Sequence, residues 1–228
     1  MAYILNIETA TTVCSVSISE NEKVLFFKEI NEGFTHAENL HLFIQEALKS
    51  CNLLPSQLNA VSVSKGPGSY TGLRIGVSAA KGLAYALNIP LIGLSTLQIM
   101  ANAAYIKQQE PGLYCPMIDA RRMEVYTALY SDDLKLLSPI EALILNESSV
   151  LKFASHPKVF YFGDGMSKCK ALLNQIENSR FIEGINPSVE HISQLVFNRF
   201  KEKEFEELAY FEPFYLKDFM ILKKKSSI

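Results

Sequence analysis

The hydrophobic period of this chain switches from two to 3.6 and later does so again, and that double switch limits the folds open to it. Residues 3–8 form a short apolar run that ends at Glu8, and Val13-Cys14-Ser15-Val16-Ser17-Ile18-Ser19 alternates in the manner of a half-buried strand. A polar turn, Glu20-Asn21-Glu22-Lys23, leads into a third strand at Val24-Leu25-Phe26-Phe27. Three strands joined by tight turns predict an antiparallel meander. From Thr35 the period becomes helical. Thr35 and Glu38 stand at capping-box spacing. Leu40, Phe43, Ile44, Ala47, Leu48 and Cys51 then fall at i, i+3, i+4, i+7, i+8 and i+11, the stripe of a core-facing helix. A strand at 60–64, a glycine-rich loop at 65–72, a helix at 73–87, a strand at 90–93 and a helix from Ser95 to about residue 104 complete the unit.

The polar stretch Lys107-Gln108-Gln109-Glu110-Pro111-Gly112 marks a boundary, and the pattern restarts behind it. Strands are expected at 114–119, 124–130 and 134–137, then a weak helix from about 148 and a strand at 159–162. A helix from about 167, a short strand near Phe181 and a helix from 188 to about 203 follow. Two successive units of this kind imply a duplicated, mixed α/β architecture with two lobes, residues 1–106 and 107–228.

Composition removes several function classes. At 228 residues and 48% hydrophobic content, the chain can bury a sizeable core, and disorder or coiled coil is excluded. A net charge of −2 gives no global basic field for gripping nucleic acid, and the only basic cluster is Lys223-Lys224-Lys225. Four cysteines without a CxxC pair exclude a zinc ribbon. The first residues lack the basic region of a signal peptide, and no apolar run approaches the roughly 20 residues of a membrane span. The expectation is a cytoplasmic protein with reduced thiols and no membrane contact.

The most informative motif is Ser64-Lys65-Gly66-Pro67-Gly68-Ser69-Tyr70-Thr71-Gly72-Leu73-Arg74-Ile75-Gly76, between a strand and a helix. Glycines there admit either an anion at the helix N-terminus or a tight turn with close packing. It is not a Walker loop. In the helix that follows, Leu73, Val77, Ala80, Ala84 and Leu87 form one apolar stripe, and Gly72, Gly76, Ala79, Leu83 and Ala86 form a second. A helix apolar on two sides has two packing partners, and the second is either an internal neighbour or another chain. His36 and His41, at i and i+5, point about 140° apart and do not share a metal. His36 is expected to be exposed or at an interface.

Glu8-Thr9-Ala10-Thr11-Thr12 resembles a phosphate-contacting hairpin turn or is simply a Thr-rich turn. Asp119-Ala120-Arg121-Arg122-Met123-Glu124-Val125-Tyr126 takes the matching place in the second unit, as an ion-paired turn or a recognition surface. Phe162-Gly163-Asp164-Gly165 joins a strand to a helix where nucleotide-binding folds admit a base or ribose. No GxSxG elbow occurs, so a hydrolase reading has little support.

Together these segments resemble the TsaB (YeaZ) family, the dimerisation subunit of the bacterial tRNA threonylcarbamoyladenosine machinery. The carriers are the hairpin through Glu8-Thr9-Ala10-Thr11-Thr12-Val13-Cys14, His36-Ala37-Glu38, and the string Gly66 to Gly76. Ala80-Lys81-Gly82-Leu83-Ala84, Asp119 to Tyr126, Gly163-Asp164-Gly165 and Pro213-Phe214-Tyr215-Leu216-Lys217 extend the match. The resemblance implies a two-lobed actin/sugar-kinase/Hsp70-like (ribonuclease H-like) fold. It implies a non-catalytic scaffold that binds and activates the paralogue TsaD for threonylcarbamoyl transfer to the tRNA adenosine beside the anticodon. TsaE joins as a further partner, a homodimer forms without TsaD, and tRNA is reached through the complex.

No cofactor is then bound tightly, since ATP and metal belong to the partner subunits. The interface expected from the resemblance comprises His36, Leu40, Phe43, Gly72, Arg74, Gly76, Ala79, Leu83 and Ala86. Glu8, Thr9, Thr11, Asp119, Gly163, Asp164 and Gly165 would be vestiges of a nucleotide or phosphate site. The chain has no HxxxH pair, the metal signature of the paralogue, and Glu8 stands where the family usually has Asp. Two alternatives remain at this stage: a small ATP-dependent phosphotransferase using Glu8 and Asp119, or a glycoprotease-like metallopeptidase.

Overall fold

A computed structural model describes residues 1–33 and 35–217 and resolves the two units into two five-stranded sheets. In the first, β1 (Tyr3–Glu8), β2 (Cys14–Glu20) and β3 (Lys23–Ile30) form the antiparallel meander. The strands β4 (Ala60–Gly66) and β5 (Leu91–Ser95) add in parallel, giving the order β3-β2-β1-β4-β5. In the second, β6 (Leu113–Asp119), β7 (Glu124–Thr127) and β8 (Glu141–Ile144) form the meander, and β9 (Val159–Phe162) and β10 (Ser179–Ile182) add in parallel. The order β10-β9-β6-β7-β8 repeats that of the first sheet. With helices α1 (His36–Ser50), α2 (Tyr70–Leu87), α3 (Thr96–Gln108), α4 (Glu147–Ala154), α5 (Met166–Leu173) and α6 (Ser193–Glu202), this is the expected α/β architecture of two mixed sheets with interleaved helices.

Helices α1 and α2 cover one face of the first sheet, with Leu40, Phe43, Val77 and Ala80 packed on Leu5, Ile7 and Val16. Helix α3 packs on the second sheet through Leu97, Met100, Ala101 and Ala104 against Tyr114, Phe160 and Phe162. The alternation in β2 predicts a half-buried strand, yet Ser15, Ser17 and Ser19 are fully buried. The 3₁₀ turn Val189–His191 covers their face. Ser15 Oγ accepts the Val189 amide at 3.2 Å, and Ser17 Oγ donates to the Val189 carbonyl at 3.2 Å. Ser62 Oγ donates to Asn6 Oδ1 at 2.6 Å, and Asn6 Nδ2 donates to Ser17 Oγ at 3.0 Å. Small hydroxyls thus satisfy a buried strand face that lacks solvent.

The segment 189–214 returns to the first lobe. Val189, Ile192 and Val196 pack on Ile4, Ala60, Ile92 and Leu94. The Glu206 amide bonds to the Leu91 carbonyl at 2.8 Å, and the Phe214 amide to the Lys65 carbonyl at 2.6 Å. Position 106/107 falls inside α3, with one sheet before that helix and the other after it, and the segment 189–214 packs on the sheet of residues 3–95.

Other expectations are corrected. The third strand of the second unit is 141–144 rather than 134–137, because Leu134 takes a left-handed φ of 62° and Leu136 only bridges to Tyr130. The last helix is split into the 3₁₀ turn and α6, which ends at a left-handed Lys203. Helix α2 begins at Tyr70, three residues early, since Ser69 Oγ accepts the Gly72 amide at 3.3 Å and caps it. The Thr35–Glu38 capping box does not form: Thr35 makes no side-chain cap bond. The basic cluster 223–225 lies outside the described residues. Among the described residues no helix is long and apolar enough to cross a membrane. No group of three or more His, Cys, Asp or Glu among the described residues is placed to hold a metal.

Candidate partner-docking face and the closed turn beside it

The turn after β1 is closed by its own neighbours. Glu8 is wholly buried, and its Oε1 accepts the Ala10 amide at 2.5 Å and the Ser64 hydroxyl at 2.7 Å. Its Oε2 is buried without a hydrogen-bond partner. Burial pushes the carboxyl up to about 7, against the bonds from Ala10 and Ser64 that lower it. Thr9 Oγ1 donates to the Gly72 carbonyl at 2.8 Å, and the Ser69 amide donates to the Ala10 carbonyl at 2.6 Å. A Cβ on Gly72 would overlap the Thr9 carbonyl oxygen, and one on Gly76 would overlap Thr9 Oγ1. Close approach of helix to turn, not anion binding, is what these glycines serve. The residues do not fit a nucleotide phosphate, because the Ala10 and Ser69 amides that would face one are committed to internal acceptors.

The corresponding turn of the second lobe is open. Asp119 accepts the Arg121 amide at 2.7 Å and pairs with Lys168, and Glu124 pairs with Lys217. The ion pairs to both acids come from lysines outside the turn rather than from the intervening arginines. Burial works to raise Asp119, but the Lys168 ammonium and the Arg121 amide outweigh it and hold the carboxyl below its ordinary value. Asp164 Oδ1 accepts the Asp119 amide at 3.0 Å, and the Gly165 amide bonds to the Met117 carbonyl at 3.0 Å. Gly163 takes a φ of 102°, and a Cβ there would overlap the Met117 carbonyl oxygen. The Gly163-Asp164-Gly165 segment thus ties β9 to the end of β6.

The expected partner interface divides in two. His36, Leu40, Phe43, Gly72 and Gly76 are buried inside the chain. His36 is no surface residue: its Nε2 lies 2.7 Å from the Thr11 carbonyl oxygen, and it is 1% exposed. Arg74, Ala79, Leu83 and Ala86 keep accessible surface. Arg74 lies over the Tyr70 ring at 4.1 Å and donates to Tyr215 Oη at 3.1 Å, so the chain's own Tyr215 already engages it.

Between the helices runs a groove of about 540 Å³ lined by Ala37, His41, Ile75, Ser78, Ala79, Gly82 and Leu83. Exposed Leu42 and Tyr85 lie on the same two helices. Sequence reasoning found Ala79 and Leu83 but missed Ile75, Ser78 and Gly82, which continue that stripe at 3, 1, 3 and 1 residues. The signal was present, but reading Gly72 and Gly76 as its start rotated the stripe too far. Gly72 and Gly76 face the turn, while Ile75, Ser78, Ala79, Gly82 and Leu83 face the groove on another side of the same helix.

Comparison with known proteins places this arrangement. The family model "TsaD: tRNA N6-adenosine threonylcarbamoyltransferase" matches residues 33–213. The tRNA threonylcarbamoyladenosine biosynthesis protein TsaB of Bacillus subtilis (strain 168) is 31% identical over 225 residues, covering 94% of this chain and 93% of that protein. The chain belongs to the TsaB (YeaZ) family. The TsaB protein of Escherichia coli (strain K12) is 38% identical over 130 residues, 57% of this chain and 55% of that relative. The structure of YeaZ from Pseudomonas aeruginosa superposes with a TM-score of 0.79 at 25% identity, covering 95% of this chain and 100% of that one. Two sheets of one topology and an open α1–α2 groove thus belong to a TsaB-family chain.

Proposed function

We propose that this chain serves tRNA threonylcarbamoyladenosine biosynthesis as a non-catalytic subunit that docks a TsaD-type partner on its α1–α2 face and supports that partner's activity. The observation that carries this reading is the groove between the two helices, apolar and small in its lining, in a chain whose family members carry that pathway in their names. Helices packing there bury apolar surface and approach closely at Ala79 and Gly82, where small residues let backbones meet. ATP, metal and the transfer chemistry belong to the partners, TsaD and TsaE, and tRNA is reached through the assembly. Without TsaD the same face pairs with a second copy, since a two-fold helix bundle is isologous. The closed turn at Glu8 counts against a phosphotransferase, and among the described residues no group of three or more His, Cys, Asp or Glu is placed to hold a peptidase metal.

The test is a binding titration of the whole chain against the TsaD subunit of the same organism. Gly82→Leu adds bulk where a Cβ meets nothing within 4 Å, so the fold is expected to stand. Affinity is expected to fall at least about tenfold, roughly 1.4 kcal/mol. Ala79→Arg is expected to do the same. Unchanged affinity in both variants, at wild-type melting temperature, would overturn the reading. Gly76→Leu is no test of the interface, because Gly76 lies against Thr9 inside the chain.

A further inference from the structure

Resting on the docking face proposed above, the contacts of the first turn acquire a role of their own. Glu8 holds the Ala10 amide, and the Ala10 carbonyl holds the amide of Ser69, the N-cap of α2. One residue earlier, Thr9 donates to the Gly72 carbonyl and fills the space left by Gly72 and Gly76. One residue later, the Thr11 carbonyl meets Nε2 of His36, the first residue of α1. Three successive turn residues therefore seat the N-terminal ends of both helices whose flanks form the groove.

We infer that Glu8 is a positioning residue for the docking face: by fixing the turn it sets the spacing of α1 and α2 and hence the shape of the groove offered to a partner. The side chain is wholly buried, with Oε1 doubly bonded and Oε2 unpartnered. A neutral acid tolerates that site, whereas a carboxylate leaves a charged oxygen without solvation. The bonds from the Ala10 and Thr9 amides and the Ser64 hydroxyl favour the carboxylate but do not offset its burial. Strand β2 brings Cys14, whose thiol burial pushes up to about 11, and β4 brings Ser64. Strand β3 brings Glu29, itself raised by burial and by Glu190, with Ser188 and His191 opposing. Helix α1 brings His36 to the same turn, through Thr11. Among the described residues, no Lys or Arg forms an ion pair with Glu8. Ionisation of Glu8 thus loosens the turn, and the face shifts with it as pH rises through about 7.

The experiment uses the full chain in wild-type form and as Glu8→Gln, Glu8→Ala and Thr9→Val. Amide-exchange protection at Ala10 and Ser69 and affinity for the TsaD subunit are measured at pH 6 and pH 8. In the wild type both are expected to fall several-fold between the two pH values. Glu8→Gln is expected to hold them level, since the amide keeps the acceptor without ionising. Glu8→Ala is expected to lower both at either pH. Thr9→Val, which removes only the bond to Gly72, is expected to weaken partner binding without changing the pH slope. A wild-type pH slope surviving in Glu8→Gln, or wild-type protection in Glu8→Ala, would overturn the inference. If Glu8→Ala does not fold, Glu8→Gln and Thr9→Val decide. If the wild type binds no partner, the docking reading falls by itself, and the exchange data still decide whether Glu8 governs the turn.

Discussion

The two lobes carry the same sheet order and the same hairpin turn, yet the turns have opposite fates. Residues 8–12 of the first lobe are drawn under α2: Glu8, Thr9 and Ala10 are buried, and two glycines of the helix close over them. Residues 119–124 of the second stay at the surface: Asp119, Arg121 and Arg122 are exposed, and lysines from elsewhere answer the acids. Duplication supplied one topology twice. The difference teaches that the turn's role is set by what packs on it: two helix glycines, Gly72 and Gly76, close on Thr9 of the first turn, whereas at the second Gly165, before α5, meets only Val125, Ile118 and the Asp119 amide at the end of β6.

Breaking the closed turn is expected to have the largest effect. Gly76→Val places two methyl groups where Thr9 already sits, and overpacking combined with a displaced helix end should cost about 4 kcal/mol or more. Thermal denaturation followed by circular dichroism would read this as loss of a cooperative melt or a fall of well over 10 °C. A melt within 2 °C of wild type would show that the turn moves aside freely.

The pH response distinguishes the turns next. Glu8 titrates near 7 in the folded chain, above its ordinary value of 4.5. A raised folded-state value means that the stabilisation from the neutral acid is full below about 4.5 and is lost as pH rises through 7. A difference of that size corresponds to about 3 kcal/mol as an upper figure, because each unit is worth about 1.4 kcal/mol. Glu8→Gln should therefore gain on the wild type in urea melts at pH 8 and lose that advantage at pH 5. Asp119 has the opposite slope. Its carboxyl is held low, so its contribution is present above about 4 and disappears as pH falls further. With the side chain 46% exposed, solvent screening limits Asp119→Asn to about 1 kcal/mol or less at pH 7.

What the sequence disclosed follows the same contrast. Strand positions and the double meander were legible because period-two runs and polar turns are local signals, and β1 and β9 match to the residue. The fate of the serines in β2 was not, since period two reports one apolar face and cannot say that the turn at Val189–His191 covers the other. The α2 glycines were legible as small residues but ambiguous in purpose. Small residues serve an internal close approach as readily as an intermolecular one, and only the place of Thr9 decides between them. Burial of His36 escaped for a like reason: its partner is a carbonyl 25 residues earlier, which no helical pattern encodes.

The smallest expected effect sharpens the comparison at the open turn. Arg121 and Arg122 both adopt left-handed backbone, with φ of 72° and 50°, a region where non-glycine side chains are strained by about 1 kcal/mol each. The Glu124 amide bonds to the Arg121 carbonyl at 3.2 Å and the Ala120 amide to the Glu124 carbonyl at 3.1 Å, so the hairpin holds this geometry without either guanidinium. Arg122→Gly should therefore relieve strain in the folded state, while the extra freedom of glycine in the unfolded chain offsets part of the gain. The net change expected is a stabilisation of about 0.5 kcal/mol, read as a small rise in the denaturant midpoint at constant slope. A loss of 1 kcal/mol or more would mean that the Arg122 side chain holds the second lobe together, and that this turn is less open than its exposure indicates.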